Sequence, residues 1–437
     1  MQDSKLSVTQ PRYPHVPTWL LLLFCGYVII WYLQIGYRRP ALADIRFEFI
    51  YAAVLSLFAL NYTWLSSYDC PLTKYLILYI LVVVIQIPFS FNVENSWQIF
   101  LDRFVKFAFM GWFIVSFVKS PKGLVFFIGA FMLACMKMGQ EGLIGQLTGS
   151  LVWQNQGVMR LHGSTPLYAH PNSFSGMAIG TLPFIIAFFP IANRYVKALL
   201  ALMAVFAGNI ILFTGSRTGY VATVFLALFL IYKSKVNKFK VITAMAILAI
   251  IVATVAPEEY VGRFKSIYNP AEQAEGGSRE SRIQIMKDAW AIFLDHPFGV
   301  GVGAFPSIRR VVFKRFQDTH NLYLEIATNL GIQGLIVFGL LIYKMLALLN
   351  HIGESAAKRR KEIVAGLKAD YNETEKVKII EDLNILEASA IGVYLFIVVR
   401  LALGIFGMDL YEIYWWFASG LTFAIYNISK TLNRVSC

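Results

Sequence analysis

Long apolar segments separated by short polar ones run through almost the whole chain. With their flanks, such segments approach the ~20 residues that a helix needs to cross a ~30 Å hydrocarbon core. The pattern therefore predicts an all-α polytopic membrane protein with about twelve transmembrane helices. These spans are expected at residues 18–36, 46–67, 74–91, 99–118, 122–139, 173–190, 195–213, 217–232, 239–256, 322–349, 386–406 and 410–428.

Polar segments divide these predicted spans into three regions. Residues 1–256 hold transmembrane helices 1–9 and an outer segment at 140–172, and residues 257–321 form a large outer loop. Residues 322–437 hold transmembrane helices 10–12 and a charged helical connector at 351–385 on the inner side. Loops as long as 257–321 are usually functional or disordered, and its many aromatic and aliphatic residues argue against disorder.

Lysine and arginine set the expected orientation. With the N-terminus inside, most basic loops are cytoplasmic, as the positive-inside rule requires, and the loop with Arg38 and Arg39 is the exception on the outer side. The chain is 57% hydrophobic and 15% charged, with a net charge of +13. Basic inner loops facing anionic lipid explain much of that charge. It therefore does not indicate a nucleic-acid partner.

The residues typical of disulfide or metal sites are sparse. None of the four cysteines lies in the large outer loop, so no disulfide framework is expected, and no Cys/His spacing suits zinc. The outer loops also lack an Asp-x-Asp motif. We therefore expect no metal and no cofactor, and we expect arginine to neutralise any bound diphosphate.

One predicted helix of the large outer loop, at 278–296, carries two arginines. On a helical wheel Arg282 lies near the middle of an apolar face, with Arg279 about one turn before it and Asp288 on the polar side. That face includes Met286, Ala289, Trp290 and Phe293, with Ile285 and Ile292 beside it. At a membrane interface this helix would hold both guanidiniums at headgroup depth, where they can bind phosphate. The alternative is that they only anchor the helix by snorkelling.

A second arginine site is predicted where two spans meet. Arg217 falls in the first turn of a span, after Gly215 and Ser216. The unsatisfied amides of a helix N-terminus suit a phosphate, and the Ser216 hydroxyl is a further donor. A simple Gly-Ser turn between helices is the structural alternative.

His320 is predicted to open the span at 322–349, with Asp318 or Thr319 as its cap. The helix dipole would disfavour the imidazolium, so a neutral imidazole is expected near neutral pH. A neutral imidazole can accept a proton from a hydroxyl nucleophile. The alternative is a capping or headgroup-contacting histidine.

A weaker polar group occurs in the first outer segment. It includes His162, His170 and Asn172, and Asn172 after Pro171 is expected to cap the following span. His170 and Asn172 are candidate substrate contacts, as is Asn321 beside His320.

In combination, the motifs around these residues resemble those of the bacterial O-antigen ligase and O-antigen polymerase superfamily of integral-membrane glycosyltransferases. The resemblance covers roughly residues 160–345 at motif level and the whole chain at the level of topology. Its carriers are Gly215-Ser216-Arg217, Ser281-Arg282 with Trp290, His296-Pro297-Phe298-Gly299-Val300-Gly301, and His320-Asn321 followed by Gly331-Ile332-Gln333-Gly334-Leu335.

The resemblance implies a GT-C-like enzyme of the bacterial inner membrane whose active site faces the periplasm. Ligases of this family move a glycan from undecaprenyl diphosphate to a lipid A-core oligosaccharide without a metal. It implies essential roles for Arg217, Arg282 and His320. The partners would be these two lipid-linked glycans and membrane lipids.

Three other functions remain open. An O-antigen polymerase and a protein O-oligosaccharyltransferase share the donor and differ in the acceptor. The protein transferases usually carry an additional C-terminal region, and this chain ends just after its last predicted span. A lipid-linked glycan flippase or other transporter would tend to show internal repeats and charges near the membrane midplane. Neither is predicted here.

Overall fold

The computed structural model describes residues 13–63, 69–155, 158–233, 239, 242–243, 277–366 and 372–434, without the side chains of 277–279 and 434. Most of these residues are helical. A π-helix, Phe100–Val105, joins α6 to α7, and the strands β1 (Val152–Asn155) and β2 (Val158–Leu161) pair antiparallel. The α-helices are α1 (Thr18–Leu33), α2 (Ile35–Arg38), α3 (Pro40–Asp44), α4 (Phe47–Thr63), α5 (Thr73–Ile85), α6 (Val93–Ile99), α7 (Lys106–Phe117), α8 (Pro121–Thr148), α9 (Pro171–Phe188), α10 (Arg194–Phe213), α11 (Arg217–Lys233), α12 (Gly277–Asp295), α13 (Phe305–Phe313), α14 (Leu322–Val364), α15 (Glu373–Gly404) and α16 (Ile413–Arg434).

The helices agree with an all-α membrane protein. Four of them, α8, α10, α14 and α15, are long and apolar enough to cross a bilayer, and α1, α4 and α5 are shorter apolar helices. Each predicted span coincides with a helix except the one at 239–256. That span lies outside the described residues apart from 239, 242 and 243, as do residues 257–276 of the large outer loop.

The core of the bundle lies around α15. This helix packs against α9, α11, α14 and α16, and its Val393, Phe396 and Val399 side chains are buried. Helices nearer the outside, by contrast, expose large apolar side chains such as Phe49 and Leu57 of α4. Water would make that exposure costly, whereas acyl chains would cover it.

The arginine that departs from the predicted charge bias has a local partner. Both terminal nitrogens of Arg38 donate to the Glu141 carboxylate, at 2.9 and 2.8 Å, and one also donates to the Ser164 hydroxyl at 2.9 Å. This forked pair offsets the charge of Arg38 and ties α2 to α8 and to the segment after β2.

A break in α14 forms a joint with the glycine-rich segment His296–Gly303. The break is at Gly331, whose φ of 69° is outside the helical region. The backbone amides of Val300 and Gly301 donate to the carbonyls of Thr328 and Asn329 at 2.8 and 3.0 Å. In exchange, the Ile332 amide donates to the Pro297 carbonyl at 2.9 Å. Polar backbone groups freed by the break are thus satisfied by the loop.

The other side of the glycine-rich segment is held by the α6 region. The Asn95 side chain donates to the Gly303 carbonyl at 2.9 Å, and the Ser96 hydroxyl donates to the Val302 carbonyl at 2.6 Å. The motifs at 296–301 and 331–335 are therefore two halves of one structural joint. This joint sets the path of the chain from α12 to α14.

Substitution of Gly331 by alanine is expected to destabilise the protein. A Cβ atom there would lie 2.3 Å from the Phe298 carbonyl carbon, and φ is positive. Strain and overpacking together should cost about 2–5 kcal/mol, read as a lower unfolding temperature in detergent. Gly339→Ala is the matched control in the same helix, because its Cβ would meet nothing within 4 Å. Equal unfolding temperatures for the two variants would contradict the joint.

Candidate active site

His320 lies in the turn that precedes α14, one residue earlier than the helix cap. The cap is Asn321, whose Oδ1 accepts from the Leu324 amide at 3.0 Å, while its Nδ2 donates to the Ile405 carbonyl at 2.9 Å. The prediction that Asp318 or Thr319 caps the helix is wrong, because the Leu324 backbone amide donates to the side chain of Asn321 instead. Both the oxygen and the nitrogen of the Asn321 side chain are therefore hydrogen-bonded to backbone groups. His320 itself adopts φ 48°, which is uncommon outside glycine.

The pKa of His320 is lowered below its usual value. Although the residue is partly open to solvent, desolvation by the surrounding protein is the largest cause; the Asp318 carboxylate opposes it, and the charges of Arg282 and Arg309 lower the pKa further. This direction agrees with the neutral imidazole expected from sequence. The causes are desolvation and neighbouring arginines rather than the helix dipole.

Arg282 and Arg217 lie close enough to affect each other. The pKa of the Arg282 guanidinium is lowered, first by desolvation and then by the positive charge of Arg217. Arg282 in turn acts on His320. Within the described part of the chain, neither guanidinium has a hydrogen bond or an ion pair with protein. Three side chains from α11, α12 and the turn before α14 thus form one electropositive group.

Ser216 holds the backbone next to Arg217 through two hydrogen bonds. Its hydroxyl accepts from the Gly219 amide at 3.1 Å, capping α11, and donates to Asn172 Oδ1 at 2.9 Å. The side chain is fully buried. Ser216 therefore fixes the turn that carries Arg217, and the structure does not expose it to a substrate.

Asn172 links two other side chains, Arg160 and Ser216, and does not cap a helix. His170 caps α9, since its Nδ1 accepts from the Asn172 amide at 3.2 Å, and the prediction that Asn172 does so is wrong. The histidine can cap because its ring reaches an amide two residues ahead. This leaves the Asn172 side chain free to accept from Ser216 and from Arg160, both at 2.9 Å.

Arg160 is a buried residue that the sequence did not single out as part of the site. It comes from β2, is 2% exposed, and donates from Nε to the Thr214 carbonyl at 2.8 Å as well as from Nη2 to Asn172. It thereby joins the β-hairpin, the start of α9 and the α10–α11 turn. The pKa of His170 is lowered by desolvation and then by Arg160 and His320, which places His170 beside the same group.

The buried face of α12 matches the predicted apolar face only in part. Ile285, Ala289 and Ile292 are buried, whereas Met286 and Trp290 are about half exposed. Asp288, expected on the polar surface, is 1% exposed and pairs with Arg309 at 2.9 Å. The wheel prediction fails here because an arginine from α13 neutralises the aspartate. The backbone of Arg279 lies in α12, and its side chain is outside the described residues.

Asp318, near His320, also interacts with Arg103, which belongs to a second group of charged side chains. Arg103 of the π-helix pairs with Glu412 at 3.2 Å, at the end of the α15–α16 loop. The pKa of Asp318 is raised by desolvation, and the charges of His320 and Arg103 counter that rise. The sequence signal that could have indicated these charges is the pair Asp409 and Glu412, at the start of the last predicted membrane helix.

Chemically, the group combines two guanidiniums that have no partner among the described residues with an imidazole whose pKa is lowered. The first can bind a phosphate or diphosphate, and the second can accept a proton. Among the residues that the structure describes, no cluster of three or more His, Cys, Asp or Glu could hold a metal ion.

The comparison with protein families falls on this region. Residues 202–339 match the family model described as O-antigen ligase. The matched range includes Arg217, Arg282 and His320, as well as the joint at Gly331. No curated protein matches the chain.

Removing Arg282 should raise the pKa of His320. In Arg282→Gln a positive charge that lowers this pKa is lost, whereas Asp318→Asn removes a charge that raises it and should lower it further. NMR titration of ring-labelled histidine, with the His320 signal assigned by His320→Gln, measures both shifts. Arg39→Gln is the control. An unchanged His320 titration in Arg282→Gln would show that the two side chains are not neighbours.

Loss of Arg160 should loosen the turn that carries Arg217. Arg160→Gln leaves the Thr214 carbonyl and the Asn172 amide oxygen short of a donor, which should cost about 1–3 kcal/mol of unfolding free energy. The pKa of His170 should rise in the same variant, since Arg160 lowers it. Thermal unfolding and the histidine titration are the two measurements, with Arg39→Gln as control. Wild-type values for both would refute the bridging role.

Proposed function

We propose a function for this member of the O-antigen ligase/polymerase superfamily: it transfers a glycan from undecaprenyl diphosphate to a lipid A-core sugar at the periplasmic face of the bacterial inner membrane. The observation that carries the proposal is the pair of guanidiniums, Arg217 and Arg282, which have no counter-ion among the described residues and lie near a histidine of lowered pKa. Two neighbouring cations with no carboxylate are costly unless an anion joins them.

In the proposed reaction, Arg217 and Arg282 bind the donor diphosphate. The bond between the anomeric carbon and the phosphate oxygen breaks, and negative charge grows on the departing undecaprenyl diphosphate. Fixed guanidiniums stabilise that charge as it develops. Arg279, one turn before Arg282 on the same helix, is proposed as a further phosphate contact.

His320 is proposed to act on the acceptor. Its neutral imidazole orients the acceptor hydroxyl and takes its proton while the oxygen attacks the anomeric carbon in line, with inversion. The proton then passes to solvent. The energy comes from the sugar–diphosphate bond, so the reaction needs neither a nucleotide nor a metal.

The remaining candidates divide into two roles. His170 is exposed beside His320, so we propose it as a substrate contact. Ser216, Asn172 and Asn321 hold the backbone that carries the reacting residues, through the hydrogen bonds described above. Their effect on the substrate is therefore proposed to be indirect.

The position of the cationic group favours an enzyme over a transporter. Arg217 begins α11 and His320 precedes α14, so both lie at helix ends. Transporters tend to place such charges within broken helices near the membrane midplane. Among enzymes of this superfamily, the acceptor separates a ligase from a polymerase or a protein transferase, and the assay below distinguishes them.

Substitutions in the reacting group should abolish transfer. His320→Ala should slow it about 10²–10⁴-fold and Arg282→Lys about 10²–10³-fold, because lysine keeps the charge and loses the fork. Arg39→Lys, on an exposed arginine away from the group, should be active. The assay uses purified protein with lipid-linked glycan and lipid A-core, read as product size on a gel. Full activity of a well-folded His320→Ala protein would refute the base.

The product of the same assay identifies the reaction. A shift of the lipid A-core acceptor supports a ligase, lengthening of the lipid-linked chain indicates a polymerase, and modification of a protein indicates a protein transferase. Absence of any covalent product, with glycan moved across the vesicle, indicates transport. Chelator should leave the rate unchanged, and a loss that Mn²⁺ restores would contradict the metal-independent mechanism.

A further inference from the structure

The two helices before His320 form a small layered unit with an apolar inner face. In this unit Ile285, Ala289 and Ile292 of α12 pack against a set from the glycine-rich segment and α13; the set is Val300, Ala304, Phe305 and Ile308. That packing uses the face that a water-soluble helical hairpin would bury. The opposite faces should then be polar if the unit stood in water.

The outward faces are instead rich in large apolar side chains. On α12, Ile283, Met286, Trp290 and Leu294 are exposed. Where α13 ends, Val311, Val312 and Phe316 are each more than half exposed. A cluster of exposed apolar side chains of this kind indicates a surface that contacts a membrane or another protein.

Positive charge lies in the same corner of the unit. Arg310 and Lys314 are exposed, and Lys314, with φ 59°, follows the end of α13 between Val312 and Phe316 in sequence. The Arg310 guanidinium lies 5.9 Å from the centre of the Phe316 ring. Within the described part of the chain, neither cation has an ion pair.

The carboxylates near this corner already have charged neighbours. Asp318, two residues after Phe316, interacts with the charges of His320 and Arg103. Asp288 is buried and pairs with Arg309 at 2.9 Å and with Arg315 at 3.5 Å. The exposed carboxylates of α12, Glu280 and Asp295, are at its two ends. The corner formed by residues 310–316 therefore carries uncompensated positive charge among apolar side chains.

We propose that this corner is a docking surface for the anionic phospholipid headgroups of the leaflet that borders the unit. Val311, Val312 and Phe316 would enter the acyl boundary, while Arg310 and Lys314 would bind lipid phosphate. Apolar side chains flanked by cations are the pattern of an interfacial element, and anionic lipid attracts such cations at about 1 kcal/mol each. This inference does not depend on the proposed function.

Docking would fix the height of His320 above the membrane. His320 is the fifth residue after Arg315, and five residue steps of chain reach at most ~17 Å. The turn that carries His320 would then be held near the lipid surface by the same contact.

The test places a fluorophore on the corner of the whole protein. Val312→Cys is labelled in the chain with Cys437→Ser, since the three other cysteines are buried, and the protein is reconstituted in nanodiscs. Quenching by brominated phosphatidylglycerol should exceed quenching by brominated phosphatidylcholine. A label on Val377→Cys, an exposed position of the charged connector, is the control and should show little quenching. No quenching at position 312 by either lipid would overturn the proposal.

A charge-matched pair of variants tests the phosphate contacts. Arg310→Gln/Lys314→Gln should lower the preference for phosphatidylglycerol, by about five-fold for each cation removed, whereas Lys358→Gln/Lys361→Gln should leave it unchanged. Excess inorganic phosphate should have no effect. If inorganic phosphate lowered the quenching by phosphatidylglycerol, the corner would be a soluble-phosphate site and the proposal would be wrong. An equal preference for phosphatidylglycerol over phosphatidylcholine in the two double variants would also overturn it. The wild-type comparison stands even if the first variant folds poorly, and glycan transfer is not part of the readout.

Discussion

Mutual repulsion between the guanidiniums of Arg217 and Arg282 is the constraint that the surrounding structure has to satisfy. The two side chains come from helices far apart in sequence. The pKa of Arg282 is lowered by desolvation and by the positive charge of Arg217, so the charged form of Arg282 is disfavoured there. No acid of the described residues offsets them. The scaffold therefore has to hold both in place by contacts that do not neutralise them.

The contacts that hold the two arginines in place do not neutralise their charge. Arg160 holds the turn before Arg217 through a carbonyl and an amide oxygen, which are neutral acceptors. In addition, α12 is fixed by the buried pair of Asp288 and Arg309, so the acid that secures the helix already has a cationic partner other than Arg282. The joint at Gly331 adds backbone hydrogen bonds alone. Each element that positions the site leaves its positive charge intact.

The sequence predicted the helices well because their apolar periodicity is local. It also pointed to Arg217, Arg282 and His320 through their places at helix ends and on a helix face. It could not predict that Asp288 is buried, since its partner Arg309 stands on another helix. Arg160 was missed as a site residue for a related reason: two of its partners, a backbone carbonyl and an asparagine side chain, are uncharged and leave no pattern of opposite charge in the sequence. The caps Asn321 and His170 could not be predicted because several neighbouring side chains can accept a hydrogen bond. The backbone geometry decides which of them lies within hydrogen-bond distance of a free amide.

The electrostatics of the group link its two proposed tasks. Arg282 lowers the pKa of His320 while it carries uncompensated charge. A diphosphate bound between Arg217 and Arg282 would offset that charge, so the pKa of His320 would rise and its imidazole would become a stronger base. With no donor bound, the same histidine holds a proton less readily and is less able to activate an acceptor hydroxyl. In the proposed reaction, binding of the donor phosphate would therefore itself prepare the group that acts on the acceptor, without any movement of the backbone.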